Sequence, residues 1–432
     1  MSGNGRVAVI DGVRTPFARA WTVYKDMSAA DLARIATTEL LSRAGVAPSD
    51  VDEAVFGIVG APVEGPNLGR EVVLRSGIPN ATPAYTVQMY CASSGQAIAS
   101  AACDITLGHA RLAIAGGGES ISAMRAVATR ELTHLLQEAS KAKGPADYLA
   151  LVKKLVANPS ALLPAAPGLT EPTTGLTMGD SAEIMAKENG ITREAQDELA
   201  LLSHQRAAAA VASGRLAAEL VAVPIPPAYE TIVETDTDVR SDSSLEKLAK
   251  LRPVFDKKHG TITAGNASPL TDGASAVLLA SATRARELGL EPLGFIRSWA
   301  VAALDIQKEQ LLLGPAYSAP LALERAGMTL ADIDLVEMHE AFAAQVLSNL
   351  QKMASDKFAK EKLGRTQAMG APELDKLNVN GGSIAIGHPF GATGARLVMT
   401  LLKELKRRDL STGLVTICAA GGLGFSMVLT RD

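Results

Sequence analysis

Two cysteines and one histidine in this sequence stand in surroundings that suit catalysis. Cys91 lies where the apolar stretch VQMY meets a helix of small residues, and a thiol at a helix N-terminus is biased toward the nucleophilic thiolate. Cys418 opens the segment CAAGGLG, whose small residues can turn backbone N–H groups toward a developing oxyanion. One thiolate to take an acyl group, a second thiol to shuttle a proton and His388 as a base would make or break a carbon–carbon bond next to a thioester.

The loop around His388 is rich in glycine, which is typical of backbone that closely approaches a ligand or another segment. Residues 376–396 read KLNVNGGSIAIGHPFGATGAR, with glycines on both sides of the histidine and a helical apolar pattern after them. The histidine therefore precedes a helix N-terminus, a position that favours an anion nearby. Taken alone, a histidine in such a turn is more readily explained as a structural, hydrogen-bonded imidazole.

His339 is a fourth candidate, in the segment MHEAFAAQ. It follows the strand DLVEM and begins a helix, so it can hold a water molecule or donate a hydrogen bond to an oxyanion, and Glu340 beside it is expected to fix its tautomer. Cys103 lies inside the helix after Cys91 and is expected to be a small buried hydrophobe. A purely structural role also fits each of the other cysteines and histidines when it is considered singly.

The chain contains an internal duplication. RAGVAPSDVDEAVFG at 43–57 matches RAGMTLADIDLVEMH at 325–339, an offset of 325 − 43 = 282 residues. Cys91 and His388 are each followed by a helix and an apolar strand at an offset of 388 − 91 = 297, so one extra loop of 297 − 282 = 15 residues accounts for the difference. The sequence predicts an α/β fold of two homologous halves whose equivalent strand-to-helix turns bring the two residues together.

The duplication divides the chain into three predicted parts. The N-terminal half, with the nucleophilic cysteine, comprises residues 1–122 plus 270–290; an inserted loop domain spans 123–269; and the C-terminal half spans 291–432. The insertion begins with two amphipathic helices and a Pro-rich stretch, which suit a lid, a partner surface, a membrane-interface hairpin or a helical excursion packed on its own domain. The lysines that would face lipid head groups are Lys141, Lys143, Lys153 and Lys154.

Composition excludes several classes of protein. A formal net charge of −4 over 432 residues lacks the positive excess that is typical of proteins that bind DNA or RNA. The residues that come nearest to forming a local basic cluster are Arg240, Lys247 and Arg252. Three widely separated cysteines make neither a disulfide framework nor a metal site, so we expect free thiols and no metal. Without a signal peptide or an apolar run long enough to span a bilayer, a cytoplasmic location is expected.

Together, five motifs make the chain resemble the thiolase family. They are CASSGQA, GNASPLTDGA, HEAFA, GGSIAIGHPFGATGAR and CAAGGLG, and the likeness runs from VRTPF near the N-terminus to the last strand. HEAFA and the long insertion most resemble the β-subunits of fatty-acid oxidation complexes. The resemblance implies the thiolase fold, with the two duplicated α/β halves in a layered αβαβα arrangement, and a 3-ketoacyl-CoA thiolase of β-oxidation that acts through a cysteine acyl-enzyme.

The resemblance also implies a role for each catalytic candidate. Cys91 would carry the acyl group, His388 would activate it, and Cys418 would exchange protons with the α-carbon and the incoming thiol. His388 and a water held by His339 would bind one thioester oxygen, and the N–H groups of Cys91 and Ala420 would bind the other. Ala420 stands where relatives usually have glycine. Positions that match coenzyme A contacts of relatives are Arg240, Met178, Leu251, Ser268 and Phe342.

The same resemblance sets expectations about ligands and partners. Coenzyme A would be a co-substrate and no cofactor would be permanently bound; the chain would form a homodimer or higher oligomer, with a hydratase/dehydrogenase α-subunit as a further partner and only peripheral membrane contact. Three alternatives stay open: a biosynthetic acetoacetyl-CoA thiolase, a decarboxylating ketoacyl synthase, which would not need the second thiol, and a non-catalytic CoA-ester-binding subunit. Chain-length preference and physiological direction are not decided by the sequence.

Overall fold

The structure, a computed structural model, describes residues 6–125, 128–163 and 170–432. The β-strands in these ranges are β1 Val7–Arg14, β2 Ala18–Arg19, β3 Glu53–Gly57, β4 Ala84–Val87, β5 Leu112–Glu119, β6 Val223–Pro224, β7 Ile232–Val233, β8 Thr271–Ser281, β9 Gly294–Ala303, β10 Leu335–Met338, β11 Thr412–Ala419 and β12 Leu423–Thr430. The α-helices are α1 Ala29–Ala44, α2 Leu68–Arg75, α3 Ser93–Leu107, α4 Arg130–Ala139, α5 Pro145–Ala157, α6 Met178–Asn189, α7 Arg193–Ala212, α8 Leu245–Ala249, α9 Ala282–Glu287, α10 Gly314–Ala326, α11 Ala343–Met353, α12 Asp356–Leu363, α13 Ser383–Ile386 and α14 Thr393–Arg408.

The strand pairing of the central sheet repeats itself. Along the sheet the strands follow the order β10-β11-β12-β9-β1-β8-β5-β3-β4. In the first half β3 is parallel to β5, while β5, β8 and β1 are successively antiparallel. In the second half β10 is parallel to β11, while β11, β12 and β9 are successively antiparallel. The two copies meet where β1 pairs with β9, which confirms the predicted duplication.

Side chains along the strands alternate between three hydrophobic cores. On β5, Ile114 faces a core shared with α1, whereas Ala115 faces the central core that holds α3 and α14. On β12, Met427 faces the central core and Val428 a third core shared with α10. Because both faces of these two strands are covered, β5 and β12 are buried along nearly their whole length. The two halves of the sheet therefore form two layers on either side of α3 and α14, and helices such as α1 and α10 cover their outer faces. The layers are helix, sheet, helix, sheet and helix, as the family resemblance implied.

Small residues let the two central helices approach each other closely. An ideal Cβ placed on Gly394 of α14 would lie only 2.5 Å from the backbone nitrogen of Gly95 in α3. Any larger side chain at this crossing would force the helices apart. The crossing lies near the N-termini of both helices, and it therefore brings together the two turns that carry Cys91 and His388.

The inserted segment packs in two different ways. Met185 of α6 shares a core with Ala344 of α11, and Ala207 of α7 shares one with Ile386 of α13, so these helices cover the C-terminal half. Helices α4 and α5 pack against each other. Their exposed apolar side chains are Leu136, Tyr148, Leu149, Val152 and Val156.

Several expectations about this segment stay predictions. The choice between a lid, a partner surface, a membrane-interface hairpin and a packed excursion is open, and the three-part division of the chain remains a proposal. Residues 164–169, most of the Pro-rich stretch, lie outside the described residues. In the described ranges, no helix has both the length and the apolar composition needed to cross a bilayer.

Candidate active site

Cys91 lies in the tight turn between β4 and α3. Tyr90 before it has a φ of 48°, a left-handed conformation that is uncommon for a large side chain. The hydroxyl of Ser93 stabilises the turn, because it accepts a hydrogen bond from the Met89 N–H at 2.8 Å and donates one to the Tyr90 carbonyl at 2.6 Å. The strained turn places the thiol at the start of α3, on the wall of a cavity.

The Cys91 thiol is protonated at rest. Burial raises its pKa to about 12, and the carboxylate of Glu119 adds to the rise. Hydrogen bonds from the N–H groups of Ala420 and of Cys91 itself lower this pKa but do not outweigh burial. The bias toward thiolate expected at a helix N-terminus does not outweigh this burial, so the nucleophile needs a base when substrate arrives, the role predicted for His388.

His388 has the properties of that base. It lies between α13 and α14, is 4% exposed, and its Nδ1 is 2.6 Å from the hydroxyl of Thr393. Burial lowers the pKa of the imidazole to about 3, with a smaller contribution from the charge of Arg396. Its Nε2 is buried and has no hydrogen-bond partner among the described residues. The ring is therefore neutral at physiological pH, with one nitrogen free to take a proton.

The glycines around His388 allow loops from the two halves to meet. An ideal Cβ on Gly391 would lie 2.7 Å from the carbonyl oxygens of both Gly118 and Gly57. A carboxylate joins the loops as well, because Glu119 at the end of β5 accepts hydrogen bonds from the N–H groups of Gly391 at 3.0 Å and Gly60 at 2.9 Å. The sequence did not single out Glu119, although an acidic residue at the end of the apolar strand LAIAGGGE was a usable signal.

His339 lies at the end of β10, fully buried beside the other imidazole. The ring centroids of His339 and His388 are 4.0 Å apart. Its Nδ1 is 2.9 Å from the hydroxyl of Ser383, and burial holds its pKa well below the usual value. Glu340 forms no hydrogen bond with this ring; its carboxylate accepts hydrogen bonds from Ser203 and Asn378 instead. The expectation that Glu340 fixes the tautomer is therefore wrong.

The structure brings Cys91 and both histidines, His339 and His388, into one cluster. The sulfur of Cys91 and one nitrogen each of His339 and His388 lie within 4.8 Å of one another. Sulfur and imidazole nitrogen are also the ligand types that Zn²⁺ binds, so this trio is where a metal could be held. The absence of a resident metal stays a prediction.

Cys418 lies next to the cluster at the end of β11, 1% exposed. Burial raises the pKa of its thiol well above the usual value, and the adjacent Cys91 raises it further. A thiol so reluctant to ionise is a strong base once it has lost its proton, which suits a group that exchanges protons with carbon. Two residues on, Ala420 directs its N–H toward the sulfur of Cys91. Cys103, in contrast, is exposed, so its expected burial is wrong.

A large cavity contains three of the residues expected to contact coenzyme A. It has a volume of about 480 Å³, and Arg240, Leu251 and Ser268 line it. The sequence did not single out three other lining side chains: Arg19, Trp21 and His204. Trp21 is 63% exposed and has a φ of 62°, so this aromatic ring is held toward solvent by backbone in a left-handed conformation.

Met178, Ala420 and Phe342 lie elsewhere. Met178 and Ala420 line a smaller, mainly apolar cavity of about 110 Å³, together with Cys91. The other apolar side chains of this cavity are Val59, Tyr90, Pro172 and Phe390. Phe342 caps the N-terminus of α11 and packs edge-on against Phe255, with ring centroids 6.2 Å apart.

Comparison with known proteins accounts for nearly the whole chain. The family described as thiolase, N-terminal domain, matches residues 7–283, and the thiolase C-terminal domain matches residues 290–431. The chain belongs to the thiolase family. This thiolase is 50% identical to the 3-ketoacyl-CoA thiolase of Erwinia tasmaniensis over 99% of its own length and 97% of the relative. It is 51% identical to that of Yersinia enterocolitica, with 98% and 96% covered.

Solved structures give the same fold. The human mitochondrial 3-ketoacyl-CoA thiolase matches this thiolase with a TM-score of 0.82 and 32% identity, covering 99% of each chain. The acetyl-CoA acetyltransferase of Bacillus anthracis matches with a TM-score of 0.83 and 32% identity, covering 100% of each. Because both enzymes share the fold equally well, the fold by itself does not decide between substrates.

Proposed function

We propose that this thiolase cleaves 3-oxoacyl-CoA with coenzyme A into acetyl-CoA and an acyl-CoA shortened by two carbons. The observation that carries the proposal is the cluster of Cys91, His339 and His388 within 4.8 Å, with the second thiol of Cys418 beside it. Relatives of about 50% identity along nearly the whole chain that are named 3-ketoacyl-CoA thiolase support the substrate class. A human relative solved in complex with CoA supports coenzyme A as co-substrate.

In the first half-reaction the acyl chain moves to the enzyme. The proton of the Cys91 thiol passes to Nε2 of His388, and the sulfur attacks the 3-keto carbon of the substrate. The bond between C2 and C3 then breaks, which leaves the acyl group as a thioester on Cys91 and acetyl-CoA as an enolate. Cys418 donates its proton to C2 of this enolate, so acetyl-CoA leaves and Cys418 is left as a thiolate.

The second half-reaction returns every proton to its starting place. The Cys418 thiolate takes the proton from the thiol of a new coenzyme A molecule, whose sulfur attacks the acyl group on Cys91. The carbon–sulfur bond to Cys91 breaks, and the sulfur regains the proton that His388 holds. In this proposal a water held by His339, together with His388, stabilises the negative charge that develops on one thioester oxygen, and the N–H groups of Cys91 and Ala420 stabilise that on the other.

The two cavities divide the substrate between them. In this proposal the cavity of about 480 Å³ holds coenzyme A, and the apolar one beside Cys91 holds the start of the acyl chain. Arg19 and Lys247 in the large cavity are ion-paired with Asp238 and Asp242. Arg240 forms no ion pair with the described residues, which leaves its guanidinium free for a phosphate.

Chain-length scanning tests the proposal against its closest alternative. Thiolysis is measured with 3-oxoacyl-CoA substrates of four to sixteen carbons, with acetyl-CoA and the shortened acyl-CoA quantified by chromatography. We expect turnover of substrates longer than acetoacetyl-CoA; activity confined to acetoacetyl-CoA would favour the biosynthetic alternative.

A second measurement separates an enzyme from a subunit that only binds CoA esters. Mass spectrometry after substrate addition is expected to find the acyl adduct on Cys91 and none on the exposed Cys103. Cys91→Ser is expected to lose the thioester adduct, and Cys103→Ser provides the matched control. A Cys91→Ser protein indistinguishable from wild type would identify a non-catalytic subunit.

Several finer expectations remain part of the proposal. They are a cytoplasmic location, a homodimer or higher oligomer, a hydratase/dehydrogenase α-subunit as partner, peripheral membrane contact, no nucleic-acid partner and no permanently bound cofactor. Sedimentation measurements and co-purification with an α-subunit test the assembly. A protein that is monomeric at micromolar concentration would contradict the expected oligomer.

A further inference from the structure

A buried hydroxyl connects an arginine to one of the two active-site histidines. Ser383 opens the short helix α13, and its Oγ is 2.9 Å from Nη2 of Arg396 on α14 and 2.9 Å from Nδ1 of His339 after β10. All three side chains are fully buried. Three separate elements therefore meet at one oxygen atom, directly behind the ring that faces Cys91.

The direction of the two hydrogen bonds follows from the protons available. A guanidinium has only donors, so the oxygen of Ser383 accepts from Arg396. Oε2 of Glu337 lies 3.3 Å from Nη1 of the same guanidinium, so Arg396 also has an ion-pair partner. The hydroxyl has one proton to donate, and Nδ1 of His339 is the acceptor within reach among the described residues. If Nδ1 carried a proton instead, the buried hydroxyl proton would have no acceptor, which is costly.

Counting donors and acceptors in the same way gives the opposite tautomer for His388. The hydroxyl of Thr393 donates to the carbonyl of Pro389 at 3.1 Å, so it accepts from Nδ1–H of His388 at 2.6 Å. That leaves Nε2 of His388 without a proton, whereas the Ser383 contact leaves Nε2 of His339 with one. Both Nε2 atoms are buried and have no partner in the described part of the chain.

We propose that Ser383, oriented by Arg396, is a positioning residue that holds His339 in the Nε2–H tautomer. In this form the ring donates a hydrogen bond toward the substrate, directly or through water, while His388 in the other tautomer accepts the thiol proton of Cys91. Two chemically identical side chains thus act as donor and base because the hydroxyl at Nδ1 of His339 donates a hydrogen bond, whereas the hydroxyl at Nδ1 of His388 accepts one. The inference rests on the oxyanion role proposed above for His339.

A double-mutant cycle tests the functional part. Ser383→Ala removes both the selection of the tautomer and the hydrogen bond that fixes the orientation of the His339 ring. We therefore expect kcat for thiolysis to fall at least about tenfold and up to the roughly 10²–10³-fold lost when an oxyanion donor is removed. An asparagine amide carries its donor whatever lies behind it, so in a His339→Asn background the same Ser383→Ala change is expected to alter kcat less than about twofold. Ser383→Thr keeps the hydroxyl and is expected to restore most of the activity.

A structural role for the serine gives a different pattern. If Ser383 only supports packing, Ser383→Ala lowers kcat by the same factor in both backgrounds, and that result would overturn the proposal. Thermal melting of each variant shows whether it is folded under the assay conditions.

The tautomers themselves can be observed without turnover. In protein labelled with ¹⁵N-histidine, protonated and unprotonated ring nitrogens have widely separated chemical shifts, and His339→Asn identifies the signals of this one ring among six histidines. We expect a protonated Nε2 for His339 and an unprotonated Nε2 for His388. An unprotonated Nε2 on His339 in the wild-type protein would overturn the inference. Because this measurement needs no substrate, its outcome is independent of whether the proposed thiolysis is observed.

Discussion

Replacement of His388 by alanine should expose how strongly the fold suppresses the thiolate of Cys91. With a pKa of about 12, about one thiol in 30,000 is ionised at pH 7.5, compared with roughly one in ten for an unperturbed cysteine. Without a base, alkylation of Cys91 by iodoacetamide has to proceed through this rare thiolate. We expect the rate of alkylation at pH 7.5 to fall by about 10²–10⁴-fold in His388→Ala, the range that general base catalysis supplies.

The pH dependence provides the sharper test of the same change. Because the pKa of His388 is lowered to about 3, the wild-type base stays unprotonated from mildly acidic pH upward, and the alkylation rate should be nearly constant between pH 6 and pH 8. In His388→Ala the thiolate fraction rises tenfold per pH unit until the pH approaches the thiol pKa of about 12, and the rate should rise with it. The difference between the two proteins therefore shrinks as the pH increases.

Peptide-level mass spectrometry measures the alkylation of each cysteine separately. The exposed Cys103 serves as an internal reference and should react equally in both proteins. His109→Ala, which removes an imidazole that is 69% exposed, is the matched control and should leave the Cys91 rate unchanged. Equal, pH-parallel alkylation of Cys91 in wild type and His388→Ala would refute the assignment of His388 as its base.

Three further predictions follow from other parts of the molecule. Cys418→Ala should still trap the acyl group on Cys91, because another residue activates that thiol, but steady-state turnover should fall about 10²–10⁴-fold; failure to form the adduct would contradict the division of roles. Arg14→Met should lower the free energy of unfolding by about 3–5 kcal/mol in chemical denaturation, since Glu219 and Asp236 lose a fully buried partner, whereas Arg111→Met, which breaks an exposed pair with Glu287, should cost less than about 1 kcal/mol. Because Trp21 lines the cavity proposed for coenzyme A, binding of coenzyme A should change tryptophan fluorescence in wild type and in Trp299→Phe but not in Trp21→Phe; a response retained without Trp21 would place coenzyme A away from that ring.

The candidate catalytic residues and the duplication could both be predicted from the sequence, because each is marked by a pattern within short segments. Cys91 and His388 each precede a helix of apolar or small residues, and the repeated segments at 43–57 and 325–339 announce two copies of one unit. The structure confirms that duplication in the pairing of its strands. The motifs likewise sufficed to predict the family, since each motif reflects the geometry that one short segment must adopt.

The protonation states were decided only by tertiary structure. A helix N-terminus favours a thiolate at Cys91, yet the pKa of this residue rises because other segments remove water from around the sulfur. Glu340 is next to His339 in sequence, but the partner of this imidazole is Ser383, 44 residues away. Sequence adjacency says little about which side chain lies behind a ring, since successive residues at a strand end point in different directions.

The sequence by itself determined which residue types stand at the head of each helix and that the two halves are alike. Only the folded chain determined how the two turns differ: one histidine contacts Thr393 and the other Ser383, and Glu119 accepts a hydrogen bond from Gly391, which is 272 residues away. The physical reason is that nucleophilicity, basicity and tautomer depend on desolvation and on hydrogen-bond partners. Apart from Thr393, which is five residues from His388, those partners come from segments distant along the chain, which meet only when the two halves of the sheet pack around α3 and α14.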